Sequence, residues 1–180
     1  MKKGIAILLA LAILAGLAGC GNRQEIQFGA DVSNFISLTM KNVNDISGLC
    51  FAEYEQLQDD GIGAEALGED YFNKCAARFE QEGGSLDQLA QRCQEIDQTY
   101  EKIMTMNMKA ENAEGLKDAV QRIYEAHQKL LARSTTIYGP AEDFLNEYSS
   151  YFADASGAHS DAVELLQPYY QKTGFTKLIN

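Results

Sequence analysis

Almost nothing in this chain would stop a helix. Its 180 residues contain two prolines, Pro140 and Pro168, so the long stretch before Pro140 holds no residue that deletes a backbone donor and forces a break. Along that stretch apolar residues recur every three or four positions, and strict alternations of the kind that mark half-buried strands are few. From about Gln27 to Gln58 the stripe is Phe28, Val32, Phe35, Ile36, Val43, Ile46, Cys50, Tyr54 and Leu57, which predicts one long amphipathic helix with Gly48 as its weak point.

Asp59-Asp60-Gly61-Ile62-Gly63 reads as a turn, and a second helix is expected near Glu65 to Gln81, with Leu67, Phe72, Cys75, Ala76 and Phe79 on one face. Gly83-Gly84 ends it. Ser85 stands three residues before Gln88, the spacing of a capping box, and opens a third helix striped by Leu86, Leu89, Cys93, Ile96, Tyr100 and Ile103. A fourth, from about Ala113 to Tyr138, carries Leu116, Val120, Ile123, His127, Leu130, Ser134 and Ile137, and Gly139-Pro140 breaks it. The last pattern, Phe144 to Tyr169, includes Gly157 and Pro168 and fits either one bent helix or two short ones. Short connections between amphipathic helices make neighbours antiparallel, so the expected fold is all-α, an up-down bundle of four to five helices over residues 27–180.

The amino end is a different kind of segment. Lys2 and Lys3 precede a charge-free apolar run from Gly4 to Leu17, closed by Leu17-Ala18-Gly19-Cys20, which is the three-part layout of a secretory signal. The run is short for a permanent span, which takes roughly 20 apolar residues. Leu17-Ala18-Gly19-Cys20 resembles the lipobox of bacterial lipoproteins. The resemblance covers residues 1–20 and implies removal of residues 1–19, a lipid on the Cys20 sulfur, and a short tether over residues 20–26. It implies an extracytoplasmic protein held to a membrane through Cys20. Gly21 is not the Asp that resembles an inner-membrane retention signal, so the outer membrane is the expected site in a cell that has one, and otherwise the outer face of the cell membrane.

The formal net charge is −11, and losing Lys2 and Lys3 would make the mature chain more acidic still. That sign excludes nucleic acid as a partner and electrostatic adhesion to anionic lipid.

Three further cysteines carry the remaining chemical information. Cys50 and Cys75 lie nearly equidistant from the turn at Asp60 to Gly63, and Cys75 and Cys93 each lie nine residues from Gly84. In antiparallel hairpins such residues share a level, so the three thiols are expected in one layer, with His127 joining them from the fourth helix. Outside a reducing cytosol this layer predicts one disulfide. The expected pair is Cys75 with Cys93, leaving Cys50 as the third thiol, and closing that loop would add roughly 3 kcal/mol in the chain-entropy model. A second reading makes all of them ordinary core residues. A third takes Cys50, Cys75, Cys93 and His127 as a tetrahedral site for zinc or cuprous copper, although close Cys-x-x-Cys pairing is absent.

Met104, Met106 and Met108 form a Met-x-Met-x-Met string that suits packing near a helix end. Gly157-Ala158-His159 resembles the start of the Gly-x-His-x-x-Glu motif of imelysin-like envelope bundles, but Ala162 stands where the Glu belongs, so that family is set aside. The sequence has no His-Glu-x-x-His, no Gly-x-Ser-x-Gly, no phosphate-binding glycine loop and no Cys-x-x-Cys-His. The expectation is therefore a non-catalytic, membrane-tethered bundle without a cofactor, which binds an envelope protein or a small ligand. Nine tyrosines could supply its contact surface, with Tyr169 and Tyr170 as the first candidates for an exposed aromatic patch.

Overall fold

A computed structural model of the chain describes residues 20–62, 67–108, 112–138 and 140–173. The signal segment expected over residues 1–19 lies outside them, as does the side chain of Tyr170. The described residues form five helices and no strand, the all-α architecture expected: α1 Cys20–Asp60, α2 Glu69–Gln81, α3 Leu86–Thr105, α4 Ala113–Ser134 and α5 Ala141–Thr173. The tether expected over 20–26 is helical, because α1 starts at Cys20 itself. The fourth helix stops at Ser134, short of Tyr138, where Thr135 N–H and Thr136 N–H bond three residues back to Ala132 and Arg133 and tighten the last turn. The last pattern is one helix, running through both Gly157 and Pro168.

The glycine stops work as their positions suggest. Gly61, at φ +61, closes α1 with its N–H on Gln58 O while Ile62 N–H reaches Leu57 O. Gly83, at φ +97, repeats the arrangement for α2, with its N–H on Glu80 O and Gly84 N–H on Phe79 O. Both are Schellman ends, which satisfy the orphan carbonyls of a helix and favour glycine at the left-handed position. Ser85 then accepts a hydrogen bond from Gln88 N–H at 3.3 Å and starts α3.

What the Gly83-Gly84 break does not do is reverse the chain. Lys74 pairs with Asp60, Arg78 with Glu55 and Asp59, Arg92 with Asp45, and Lys102 with Asp31. Partner numbers on α1 fall steadily as those on α2 and α3 rise, so the two helices lie in line, both antiparallel to α1. Neither α2, of 13 residues, nor α3, of 20, can cover the 41 residues of α1, but the two in series can. On the other side α4 runs parallel to α1, with His127 beside Asn42, and α5 returns, with Tyr148 against Ser47, His159 against Thr39 and Tyr169 against Phe28. The molecule is a four-column, up-down-up-down bundle whose second column is broken in two.

Its core has two main parts. Near the amino end of α1, Phe28, Val32 and Phe35 meet Ile96, Ile103, Leu116, Val120, Ile123 and Leu166, with Met104, Met106 and Met108 packed at the rim. Further along, Val43, Ile46 and Leu57 meet Leu89, Leu130, Ile137 and Phe144. Each such side chain stabilises the fold by about 1.5–3 kcal/mol through its burial. Tyr169, expected at the surface, belongs to the first cluster.

Candidate functional site

The stripe on α1 that faces the core is not wholly apolar. Thr39, Asn42 and Glu53 interrupt it at helical spacing, and each meets polar groups from other helices inside the bundle. They define three levels of buried polar chemistry.

At the first level His159 donates from Nδ1 to the carbonyl of Ala155 at 2.6 Å, and its Nε2 lies 2.8 Å from the Thr39 hydroxyl. At the second, Asn42 joins three helices. Its Nδ2 donates to His127 Nε2 at 2.8 Å and to Cys93 Sγ at 3.1 Å, and its Oδ1 accepts from Arg92 Nε at 3.3 Å. Arg92 is held in turn by Asp45. Because His127 Nε2 accepts, the neutral ring carries its proton on Nδ1, which has no partner. Burial drives the His127 pKa down to about 4, against the opposing pull of Asp97, and burial also lowers that of His159. Both rings are neutral at pH 7.

The third level gathers Cys50, Glu53, Cys75 and Arg133. Glu53 is 0% exposed, and its carboxyl finds no hydrogen-bond partner on another helix, the Cys50 thiol one turn away being the polar group beside it. Burial raises its pKa from 4.5 to about 9, with the Arg133 charge pulling the other way, so the carboxyl stays protonated at neutral pH. Arg133, also buried, takes its counter-charge from Glu147 at 3.0 Å and stacks over Phe144 and Tyr138 at 3.8 and 4.0 Å. Burial first, then the neighbouring Glu53, pushes the Cys75 thiol up to about 12 and the Cys50 thiol higher still. Burial likewise raises the Cys93 thiol, which Asn42 partly offsets. Thiols so shifted are poor nucleophiles.

The expected single layer of Cys50, Cys75, Cys93 and His127 is therefore two. Cys50 and Cys75 share the level of Glu53, whereas Cys93 and His127 share that of Asn42, eleven residues and ~16 Å earlier along α1. The equidistance of Cys75 and Cys93 from Gly84 does not put them side by side, because α2 and α3 are in line and not a hairpin. All three thiols are free, and a Cys75–Cys93 bridge would need Cα atoms within ~7 Å. The same separation keeps the four side chains from closing around one zinc or copper ion. Among the described residues no three of His, Cys, Asp or Glu come together as metal ligands.

Sequence reasoning passed over Glu53, Asn42 and Thr39, yet each falls in register with the apolar stripe, Glu53 three residues after Cys50 and four before Leu57. At the surface, a groove of about 400 Å³ separates α4 from α5, floored by Ala126, Ala153 and Ala158 and bridged by Arg122 with Asp161 at 2.8 Å. No helix of the described residues is long and apolar enough to cross a membrane. Set against family models, curated proteins and solved structures, the chain matches none.

Proposed function

We propose that the mature chain is a lipid-anchored, extracytoplasmic module of a bacterial envelope, which binds or braces another envelope component and does not catalyse a reaction. The burial of the chemistry carries this reading. His127, His159, Cys50, Cys75 and Glu53 all lie inside the bundle, and burial favours the neutral form of each. A general base or nucleophile must reach its substrate within hydrogen-bond distance, which His127, Cys50, Cys75 and Glu53 could do only if helices separated, while His159, at the edge of a small surface hollow, has both ring nitrogens engaged by Ala155 O and the Thr39 hydroxyl. The two histidines tie helices to one another through Asn42 and Thr39, and recognition is left to the outer faces. The pattern Lys2-Lys3, apolar run, Leu17-Ala18-Gly19-Cys20 supports the anchor and the address.

The test is metabolic labelling of the full chain with palmitate in bacterial cells, followed by membrane fractionation. The wild-type chain should take up label and sediment with membranes, and its mature form should start at Cys20. Cys20→Ser should lose the label and the processing. Equal labelling of the variant, or an unlabelled wild-type chain cleaved elsewhere, would overturn the anchor. The non-catalytic part of the reading would be overturned by any hydrolytic or redox activity of the purified chain that disappears in Glu53→Gln or His127→Gln.

A further inference from the structure

Among the described residues three large apolar side chains are exposed, Met40 at 50%, Phe51 at 55% and Phe152 at 38%. All three lie on one side of the bundle, along the seam of α1 and α5. Met40 and Phe51 share a face of α1 with Ser37 and Asn44, at steps of three, four and seven residues. Phe152 shares the adjoining face of α5 with Ser149 and Ser156. Acidic side chains are missing from these faces: none stands with Ser37, Met40, Asn44 and Phe51 on α1, where Lys41 is the flanking charge and Glu55, one turn past Phe51, pairs with Arg78, and none stands with Leu145, Ser149, Phe152 and Ser156 on α5. The groove between α4 and α5, by contrast, is lined by five charged side chains.

We infer that this seam is where two copies of the chain meet. In a protein of net charge −11, two copies approaching through most faces repel each other, and a face without acidic side chains admits a like partner. A basic partner would gain nothing there, and a lipid interior would select apolar side chains in place of serine and asparagine. The size is adequate. From Ile26 to Phe51 the strip runs ~38 Å along α1, and two helices side by side are ~20 Å wide, giving about 750 Å², close to the ~800 Å² per partner of a standard interface. The relief is self-complementary as well: Met40 and Phe152 stand beside a hollow of about 90 Å³ bordered by Val43, Asn44, Ser156 and His159. A two-fold axis along the bundle sets the projecting side chains of each copy into the hollow of the other. That axis also leaves both amino ends pointing the same way, so two chains anchored in one membrane can pair. The seam itself does not depend on the anchor.

The experiment is cross-linking of the full chain in bacterial membranes with a short bismaleimide, read as a band of twice the chain's mass on a denaturing gel. Asn44→Cys and Ser156→Cys should each give the dimer well above the wild-type background, while Gln121→Cys, exposed on α4, should not. Adding Phe152→Asp or, separately, Met40→Asp to Asn44→Cys should reduce the dimer by about tenfold, with helical circular dichroism unchanged because both side chains are exposed. No dimer from either seam variant overturns the inference. So does equal cross-linking through Gln121→Cys, a dimer indifferent to both aspartates in folded protein, or a product whose mass is that of a different protein.

Discussion

Replacing Glu53 with Met is expected to stabilise the protein at neutral pH and to remove most of the pH dependence of its stability on the alkaline side. In the fold the carboxyl holds its proton until about pH 9, whereas in the unfolded chain it releases it near 4.5. A group whose folded pKa is raised contributes most below its unfolded pKa and progressively less as pH climbs toward the folded one. Each pH unit in that window removes about 1.4 kcal/mol. At pH 7 the wild-type chain has thereby lost about 3 kcal/mol relative to acid conditions, and Met, unbranched and of similar length, has no proton to lose. The clean window is pH 6.5 to 8.5. His127 and His159, whose folded pKa values are depressed, add stability only as pH rises to 6.5 and are silent above it. The cysteine and tyrosine groups with raised pKa values titrate from 9 upward even when unfolded. Urea unfolding at half-unit intervals should show wild-type stability falling by about 3 kcal/mol across the window and Glu53→Met nearly level. At pH 7 the variant should melt roughly 6–12 °C higher. A wild-type profile flat from 6.5 to 8.5, or a variant with the wild-type slope, would refute the account of Glu53 as a protonated, buried core acid.

Three other outcomes follow from the packing. Asn42→Leu removes the donor to His127 Nε2 and Cys93 together and strands a second imidazole nitrogen, so it should destabilise by about 2–3 kcal/mol in urea unfolding. Gly84→Ala would place a Cβ 2.2 Å from the Phe79 ring, forcing that ring out of its packing at about 1–3 kcal/mol, seen as a lower urea midpoint at unchanged m-value. In native protein without reductant, thiol titration should find Cys93 reacting slowly, and Cys50 and Cys75 more slowly still, only when α2 or the whole fold opens. Recovery of fewer than three of these thiols in denaturant would mean that a bridge forms in the cell.

Most of the architecture is written in the apolar spacing. Leu116, Val120, Ile123, His127, Leu130 and Ser134 all point inward as their register requires, and Gly61, Gly83 and Ser85 end and start helices where local chemistry directs. The path of the chain at Gly83-Gly84 was not legible, because a Schellman end specifies how one helix stops and leaves open whether the next turns back. Helix length held the better clue, since an α1 of 41 residues needs more cover than α2 supplies. Glu53 was hidden for a related reason: a carboxylate is presumed solvated, and only its place between Cys50 and Leu57 argues otherwise. The seam of Met40, Phe51 and Phe152 was hidden differently. Phe152 falls within the apolar pattern from Phe144 to Tyr169, and only the arrangement of columns reveals which side of each helix is uncovered.

The broken second column also divides the molecule dynamically. α2 is short, its close helix neighbour is α1 alone, and glycine-capped ends separate it from both chain neighbours. Segments of this kind open independently of the rest, at a fraction of the global unfolding free energy. Cys75, on the inner face of α2, covers the level of Glu53, so the excursions of α2 are the ones that hydrate the buried acid. Water lets Glu53 ionise, and an ionised carboxylate resists reburial, so rising pH holds the segment open for longer. Amide exchange in α2 should therefore accelerate with pH beyond the intrinsic chemical rate and run well ahead of exchange in α4 and α5, which waits for global unfolding, giving the bundle one hinged panel whose latch is a single proton.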